Sequence, residues 1–468
     1  MKRDRLSLRG VFPARVAGFS PLAALLALAA MAAAARADGP ARRPNVLFFY
    51  SDDQRADTVA ALGNPHIRTP TLDSLARGGV ALTRVYCNGS LKGGAVCIPS
   101  RAMLMTGRSL FRVDEEMKGQ DTWPAAFAAS GYDTFATGKW HNGKESLRKT
   151  FKEAEAVFFG GMGDPYALPL VDLGPGGTLV NERVSVEHSV KLFADAASRF
   201  LEAHGGKNSP PFLCYVAFNF PHDPRTAPAE YRARYRDDAM PLPANYLPEH
   251  PFDNGELSNR DEKLAPWPRT PEVVRRHLAD YYASIEYLDA QVGRILRALE
   301  DSGHGADTLV VFASDHGLAI GSHGLFGKQN LYEHSMRSPV LIKGPGIPAG
   351  RKIDALAYLF DLFPTLGDLA GVPGPAGSEG LSLAPALRGE MPSRREDILT
   401  AYRQVQRAIR DDRWKLIVYP RINRSQLFDL ASDPAELRDL STDPAHAADL
   451  ARMTALLRAR RASAGERD

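Results

Sequence analysis

Cysteine is scarce in this chain: Cys87, Cys97 and Cys214 are the only three in 468 residues. Three thiols spread over that length exclude a disulfide framework as the source of stability. Cys87 and Cys214 can pair with each other or remain buried and free. An excess of one charge sign is also lacking. Lys and Arg number 58 against 55 Asp and Glu, a formal net of +3. Even that surplus belongs to the first 37 residues, which hold six Lys/Arg and one Asp; without them the net is −2. A mature chain so balanced carries no basic footprint for a nucleic-acid partner. Internal repeats are absent, which excludes a solenoid or blade array, and low complexity is confined to the same N-terminal stretch.

That stretch has its own logic. Lys2, Arg3, Arg5, Arg9 and Arg15 precede an apolar, Ala- and Leu-rich run over residues 16–35, and Ala35-Arg36-Ala37 fits a small-residue cleavage site. Residues 1–37 therefore read as a signal peptide, with a secreted or periplasmic product. No stable membrane anchor is expected after cleavage. About 430 remaining residues exceed one ordinary core. The expected division is a catalytic domain over residues 38–385 and a smaller C-terminal subdomain over residues 386–468. The sequons at Asn88 and Asn423 matter only if the source glycosylates.

Four short apolar runs, over residues 46–50, 132–137, 212–218 and 308–313, read as buried strands. Each is followed by ionisable residues. Asp52 and Asp53 follow the first, Lys139 and His141 the second, His222 and Asp223 the third, Asp315 and His316 the fourth. In open α/β sheets ligands bind past the carboxyl ends of the strands, so these loops are expected to share one crevice. Helical patterns lie between the runs, at residues 71–78, 121–130 and 185–204. A long helix should start after Thr270, with Tyr281, Ile285, Leu288, Val292 and Ile295 on its core face. Residues 225–269 are rich in Pro, Asn, Asp and Arg without periodicity, a long excursion over the sheet edge. Residues 371–380 read as a linker. Four short runs beyond residue 397 suggest a small antiparallel sheet, with an amphipathic helix closing the chain.

The most specific segment is Cys97-Ile98-Pro99-Ser100-Arg101, closed by Thr106-Gly107. Pro99 suits a helix start, and a thiol near a helix N-terminus with an arginine four residues on is placed for chemistry. Adjacent Asp52 and Asp53, with Asp315 from another strand end, would repel unless a cation neutralised them. Three carboxylates make a hard-cation site, Ca²⁺ before Mg²⁺ in a crowded protein cage.

These residues resemble the signature of the type I sulfatases, Cys-x-Pro-Ser-Arg followed by Thr-Gly. The resemblance extends to Gly138-Lys139-Trp140-His141, Gly327-Lys328-Gln329-Asn330 and the C-terminal Leu427-Phe428-Asp429-Leu430. It implies an alkaline-phosphatase-like α/β fold, a large mixed sheet flanked by helices with a smaller α+β subdomain. It implies that a maturase oxidises Cys97 to formylglycine, whose hydrated aldehyde attacks sulfur and later expels sulfate. By the family pattern Asp52, Asp53, Asp315, His316 and modified Cys97 hold the ion. Arg101 and Lys139 hold the hydrate, with His141 assisting. His222 and Lys328 face the sulfate and the leaving oxygen. Many relatives have Asn where this chain has His316, although an iduronate-2-sulfatase-like branch carries Asp-His-Gly. The implied substrate is a sulfated saccharide, with Arg225 available for a carboxylate or second sulfate. A phosphonate or phosphate monoester hydrolase of the same superfamily is the alternative, and a non-catalytic glycan-binding protein is another if Cys97 is not converted. His323, Glu333 and His334 need no special role.

Overall fold

The computed structural model describes residues 42–206, 209–390 and 395–466. The expected signal peptide lies outside these residues. Pro44–Asp468 form one compact unit.

A ten-stranded mixed sheet organises that unit. Its strand order is Arg351–Tyr358, Val80–Tyr86, Arg337–Lys343, Thr308–Ser314, Asn45–Ser51, Phe212–Ala217, Asp133–Lys139, Glu153–Phe158, Pro169–Leu173 and Leu179–Val184. The four strands expected from the apolar runs are the adjacent central ones, from Thr308–Ser314 to Asp133–Lys139. They are mutually parallel, with Ser51 opposite Ser314 and Gly138 opposite Ala217. Parallel strands need cover on both faces, and the residues supply it by alternation. Val46, Phe48 and Tyr50 enter one core cluster, while Leu47 and Phe49 enter the cluster on the other face. The long helix Pro271–Asp301 covers the second face, and Thr270 caps it by accepting from the Val273 N–H. All five residues assigned to its core face are buried.

Because the four strands run parallel, their carboxyl ends share one edge, and the loops after Ser51, Lys139, Ala217 and Ser314 meet there. Gly138 matters to this alignment. Its φ is +95°, and a Cβ there would lie 1.9 Å from the Ala217 carbonyl oxygen, so only glycine lets the strand close up and deliver Lys139.

The smaller sheet is antiparallel through Ile398–Tyr402, Gln406–Arg410, Trp414–Tyr419 and Arg424–Asp429. The pair Gly89–Ser90 adds to it in parallel beside Ala401 and Tyr402, so a segment far upstream of residue 386 completes this sheet. The closing helix is Ala447–Ala464, buried at Met453 and Leu457.

Several expectations change. The helix carrying the cysteine motif is Cys97–Thr106, so Cys97 is its first residue, ahead of Pro99; Gly107, at φ +68°, ends it. Residues 371–380 have no regular structure but are not a loose tether: Glu379 and Gly380 donate to the Gly107 carbonyl. Cys87 and Cys214 do not pair. Both are buried free thiols, in core clusters on opposite faces of the sheet. Asn88 is buried with its amide donating to the Leu399 carbonyl, which removes that sequon as an acceptor. Among the described residues no helix is long and apolar enough to cross a membrane.

Candidate active site

Cys97 Sγ lies at the centre of the shared strand edge, 1 % exposed. Lys328 Nζ is 3.3 Å from it, His316 Nε2 is 3.3 Å away and Asp53 Oδ1 is at 3.8 Å. Asp52 and Asp53 leave the first central strand on opposite errands. Lys139 Nζ donates to Asp52 Oδ2 at 2.5 Å, and Lys328 Nζ reaches both oxygens of Asp53 at 2.8 and 3.0 Å. Arg101, one helical turn beyond Cys97, donates to Asp315 Oδ2 at 3.1 Å and lies 3.6 Å from Asp52 Oδ1. His222 points Nε2 toward Asp53 Oδ2 at 3.8 Å, while its Nδ1 is pinned to the Asp223 carbonyl at 2.8 Å. The structure thus brings Asp52, Asp53, Cys97, Arg101, Lys139, His222, Asp315, His316 and Lys328 into one buried cluster.

Asp53 sits at φ +66°, a left-handed conformation costly for a non-glycine residue. Tyr281 holds it there. Its hydroxyl donates to the Asp53 carbonyl at 2.6 Å and accepts the Arg55 N–H at 2.8 Å. Further ties lock the loops together. The Asp53 N–H donates to Asp315 Oδ1 at 3.0 Å, the Gln54 N–H to Ser314 Oγ at 2.9 Å, and Ser100 Oγ–H to the Asp315 carbonyl at 2.9 Å.

Electrostatics sort the carboxylates. Burial alone would raise Asp52, but Lys139, His222 and Arg101 outweigh it and hold the carboxyl well below its usual range. Asp53 is likewise lowered, His222, Lys328 and His316 overcoming burial. Asp315 is raised, by burial and by the charge of Asp52, against His316 and Arg101. Lys328 is held protonated, because Asp53 and its neighbours outweigh the cost of burial. Burial pushes the Cys97 thiol well above an ordinary cysteine, in spite of Lys139 and Lys328.

The donor set can hold a metal ion. Asp52, Cys97 and Asp315 present ligand atoms within 4.8 Å of one another, as do Asp53, Cys97 and His316. Asp52 Oδ1 is buried without a hydrogen-bond partner. His316 can hold Nδ1–H on the Gly317 carbonyl at 2.9 Å, which leaves the Nε2 lone pair facing the cluster.

Two expected residues stand apart. Arg225 donates from Nε to the Pro221 carbonyl, and its guanidinium lies over the Tyr281 ring at 5.4 Å, bonded to no member of the cluster. His141 makes no hydrogen bond to Cys97. Its Nδ1 is buried without a partner, and burial, with Lys139 and Arg101 adding, lowers it to about 3, a neutral imidazole. Glu333 belongs to a separate buried network with Lys415 and Arg410. Sequence reasoning missed Tyr281 as more than core, and it missed Asp261, whose charge reaches Lys328 from the long excursion.

Comparison with known proteins gives a consistent picture. The sulfatase family model matches residues 44–372, and the N-sulphoglucosamine sulphohydrolase C-terminal model matches residues 321–463. The chain is 30 % identical to a choline-sulfatase of Rhizobium meliloti, over 84 % of this chain and 82 % of that one. It is 27 % identical to an N-acetylglucosamine-6-O-sulfatase of Bacteroides thetaiotaomicron, over 89 % and 87 %. Among solved structures, one in complex with its substrate D-glucosamine-2-N,6-O-disulfate superposes with a TM-score of 0.77 at 24 % identity, covering 91 % of this chain and 99 % of that one. A phosphonate monoester hydrolase of Agrobacterium radiobacter superposes with a TM-score of 0.75 at 24 % identity, over 90 % and 96 %. At these identities the two structures share the fold, the alkaline-phosphatase-like one.

Proposed function

The chain belongs to the sulfatase family and is a sulfuric ester hydrolase, and from that premise we propose that it removes sulfate from a sulfated saccharide at the Cys97 cluster. The observation that carries this is the convergence of three carboxylates, Lys139, Lys328 and Arg101 on one buried thiol. The saccharide class draws on the relatives, one of them an N-acetylglucosamine-6-O-sulfatase. The expected secreted or periplasmic location is compatible with such a substrate and stays part of the proposal.

Two groups complete the site in this proposal. A divalent cation, Ca²⁺ before Mg²⁺, would be held by Asp52, Asp53, Asp315, His316 and modified Cys97 and would supply charge stabilisation to the sulfuryl oxygens. Formylglycine made from Cys97 by a maturase would supply the nucleophile.

The remaining chemistry belongs to the chain's own side chains. A sulfuryl transfer builds little new acid–base demand at sulfur but spreads negative charge over oxygens, and fixed cations answer it. Arg101 and Lys139 fix the carboxylates behind Cys97 and would hold the hydrate formed there. Lys328, 3.3 Å from Sγ and held protonated, would face the sulfate. His222, with Nδ1 committed to the Asp223 carbonyl, offers Nε2 to the departing oxygen as general acid. Arg225 would bind substrate only after leaving the Tyr281 ring.

Matured enzyme assayed on an aryl sulfate, an aryl phosphate, a phenylphosphonate ester and a panel of sulfated monosaccharides tests the reading. It expects sulfate esters to turn over fastest and a saccharide sulfate among them. Preference for the phosphonate would favour the alternative that the fold also serves. Saccharide binding without turnover by matured protein would favour a binding role.

A further inference from the structure

The long excursion over residues 225–269 does more than cover the sheet edge. Its turn Asp261–Leu264 reaches the loop that carries Lys328. The Glu262 carboxylate accepts the Phe326 N–H at 3.0 Å and the Gly327 N–H at 2.8 Å, the two peptide groups that precede Lys328. Arg269 holds that carboxylate in turn. Its Nη2 donates to Glu262 Oε2 at 2.7 Å and to the Glu262 carbonyl at 2.8 Å, and the arginine is wholly buried between the Trp267 and Phe326 rings. Neighbours extend the clamp. Asp261 accepts from Gln329 Nε2 at 2.8 Å, Gln329 donates also to the Gly94 carbonyl at 3.1 Å, and Arg260 spans Asp223 and Asp261. One short turn therefore ties together the loops of Lys328, His222 and Cys97.

A lysine has four methylenes between backbone and charge, so its ammonium is only as well placed as the backbone beneath it. Glu262 satisfies two N–H groups that would otherwise be orphaned in a buried loop. Gly327 shows how close the contact is. A Cβ there would lie 2.3 Å from Gln329 Oε1, 2.9 Å from Asp261 Cβ and 3.1 Å from Glu262 Oε1.

We infer that Glu262, braced by Arg269, is the positioning residue for Lys328, and that it governs how well the enzyme handles poor leaving groups. The inference rests on the proposed role of Lys328 and His222 at the leaving oxygen. When that end of the site is misplaced, a substrate whose alcohol leaves unaided suffers less than one that needs help.

The test uses matured enzyme and two sulfate esters, 4-nitrophenyl sulfate and an unactivated alkyl or sugar sulfate. In Glu262→Gln the kcat on the nitrophenyl ester should fall by about tenfold or less, and on the unactivated ester by about a hundredfold. Gly327→Ala, which presses on the same contact from the other side and keeps the carboxylate, should skew the ratio in the same direction. It also serves if Glu262→Gln does not fold. Equal losses on both esters, with the wild-type ratio kept, would overturn the inference and leave Glu262 a structural residue. A matured wild type that cleaves neither ester would instead overturn the sulfatase reading and this inference with it.

Discussion

The Tyr281 hydroxyl lies 2.6 Å from the Asp53 carbonyl oxygen, and this bond joins the long helix to the loop that follows the strand Asn45–Ser51. The Tyr281 hydroxyl oxygen in turn accepts the Arg55 N–H, so one hydroxyl closes the turn that holds Asp53 in a left-handed conformation. Tyr281→Phe keeps the ring and removes the bond. Leaving two buried backbone groups unpaired should cost about 1–3 kcal/mol. Urea unfolding checks the loss, and activity should fall more than stability because Asp53 is no longer fixed. An unchanged unfolding free energy would mean that the turn holds itself.

Asp53 is also the carboxylate shared by Lys328, His222 and His316. Asp53→Ala should release the divalent ion. Elemental analysis of dialysed protein should fall from about one Ca²⁺ per chain to near zero. Retention of the ion by the variant would refute the proposed ligand set.

Serine at position 97 offers an alcohol where the aldehyde hydrate is expected, and a sulfated serine has no second hydroxyl with which to expel sulfate. Cys97→Ser should release at most about one equivalent of alcohol per enzyme and then stop. Burst kinetics on a chromogenic sulfate ester read this out. Sustained turnover at the wild-type rate would sink the proposed nucleophile.

Stability should depend on pH through buried histidines outside the site. His323 stacks on Tyr332 at 3.9 Å and donates from Nε2 to the Glu436 carbonyl. Burial, helped by His250 and Lys415 and opposed by that carbonyl, lowers it to about 4. The folded chain therefore binds this proton more weakly than the unfolded chain does. The stability it contributes is complete above the ordinary histidine value near 6.5 and is lost as pH falls toward about 4, by roughly 2–4 kcal/mol. His323→Gln should flatten the rise of unfolding free energy between about pH 4 and 6.5 by that amount. An unaltered slope would mean that the histidine titrates alike in both states.

The sequence made the catalytic edge legible for a physical reason. Parallel central strands are buried on both faces, so residues 46–50, 212–218 and 308–313 read as unbroken apolar runs, and the ionisable residues just past them stand out. Geometry across sequence distance was not legible. Glu262 and Asp261 sit in a segment without periodicity, and nothing local says that they meet a loop some 65 residues on. Tyr281 looked like core because its ring is core; only its hydroxyl reaches the site. Arg225 follows the His222 motif in sequence, yet its guanidinium folds back over Tyr281. For Cys97 the motif, its place at a helix start and the arginine one turn on were all legible in the sequence, whereas the burial that raises its thiol was not.

Peptide mass spectrometry of the tryptic fragment over residues 93–101, from protein made in its native host and shown to hydrolyse a sulfate ester, decides the matter. The expected fragment carries an aldehyde in place of the Cys97 thiol. An intact, alkylatable thiol throughout a preparation with full turnover would show that the reaction proceeds without formylglycine and that the proposed nucleophile is wrong.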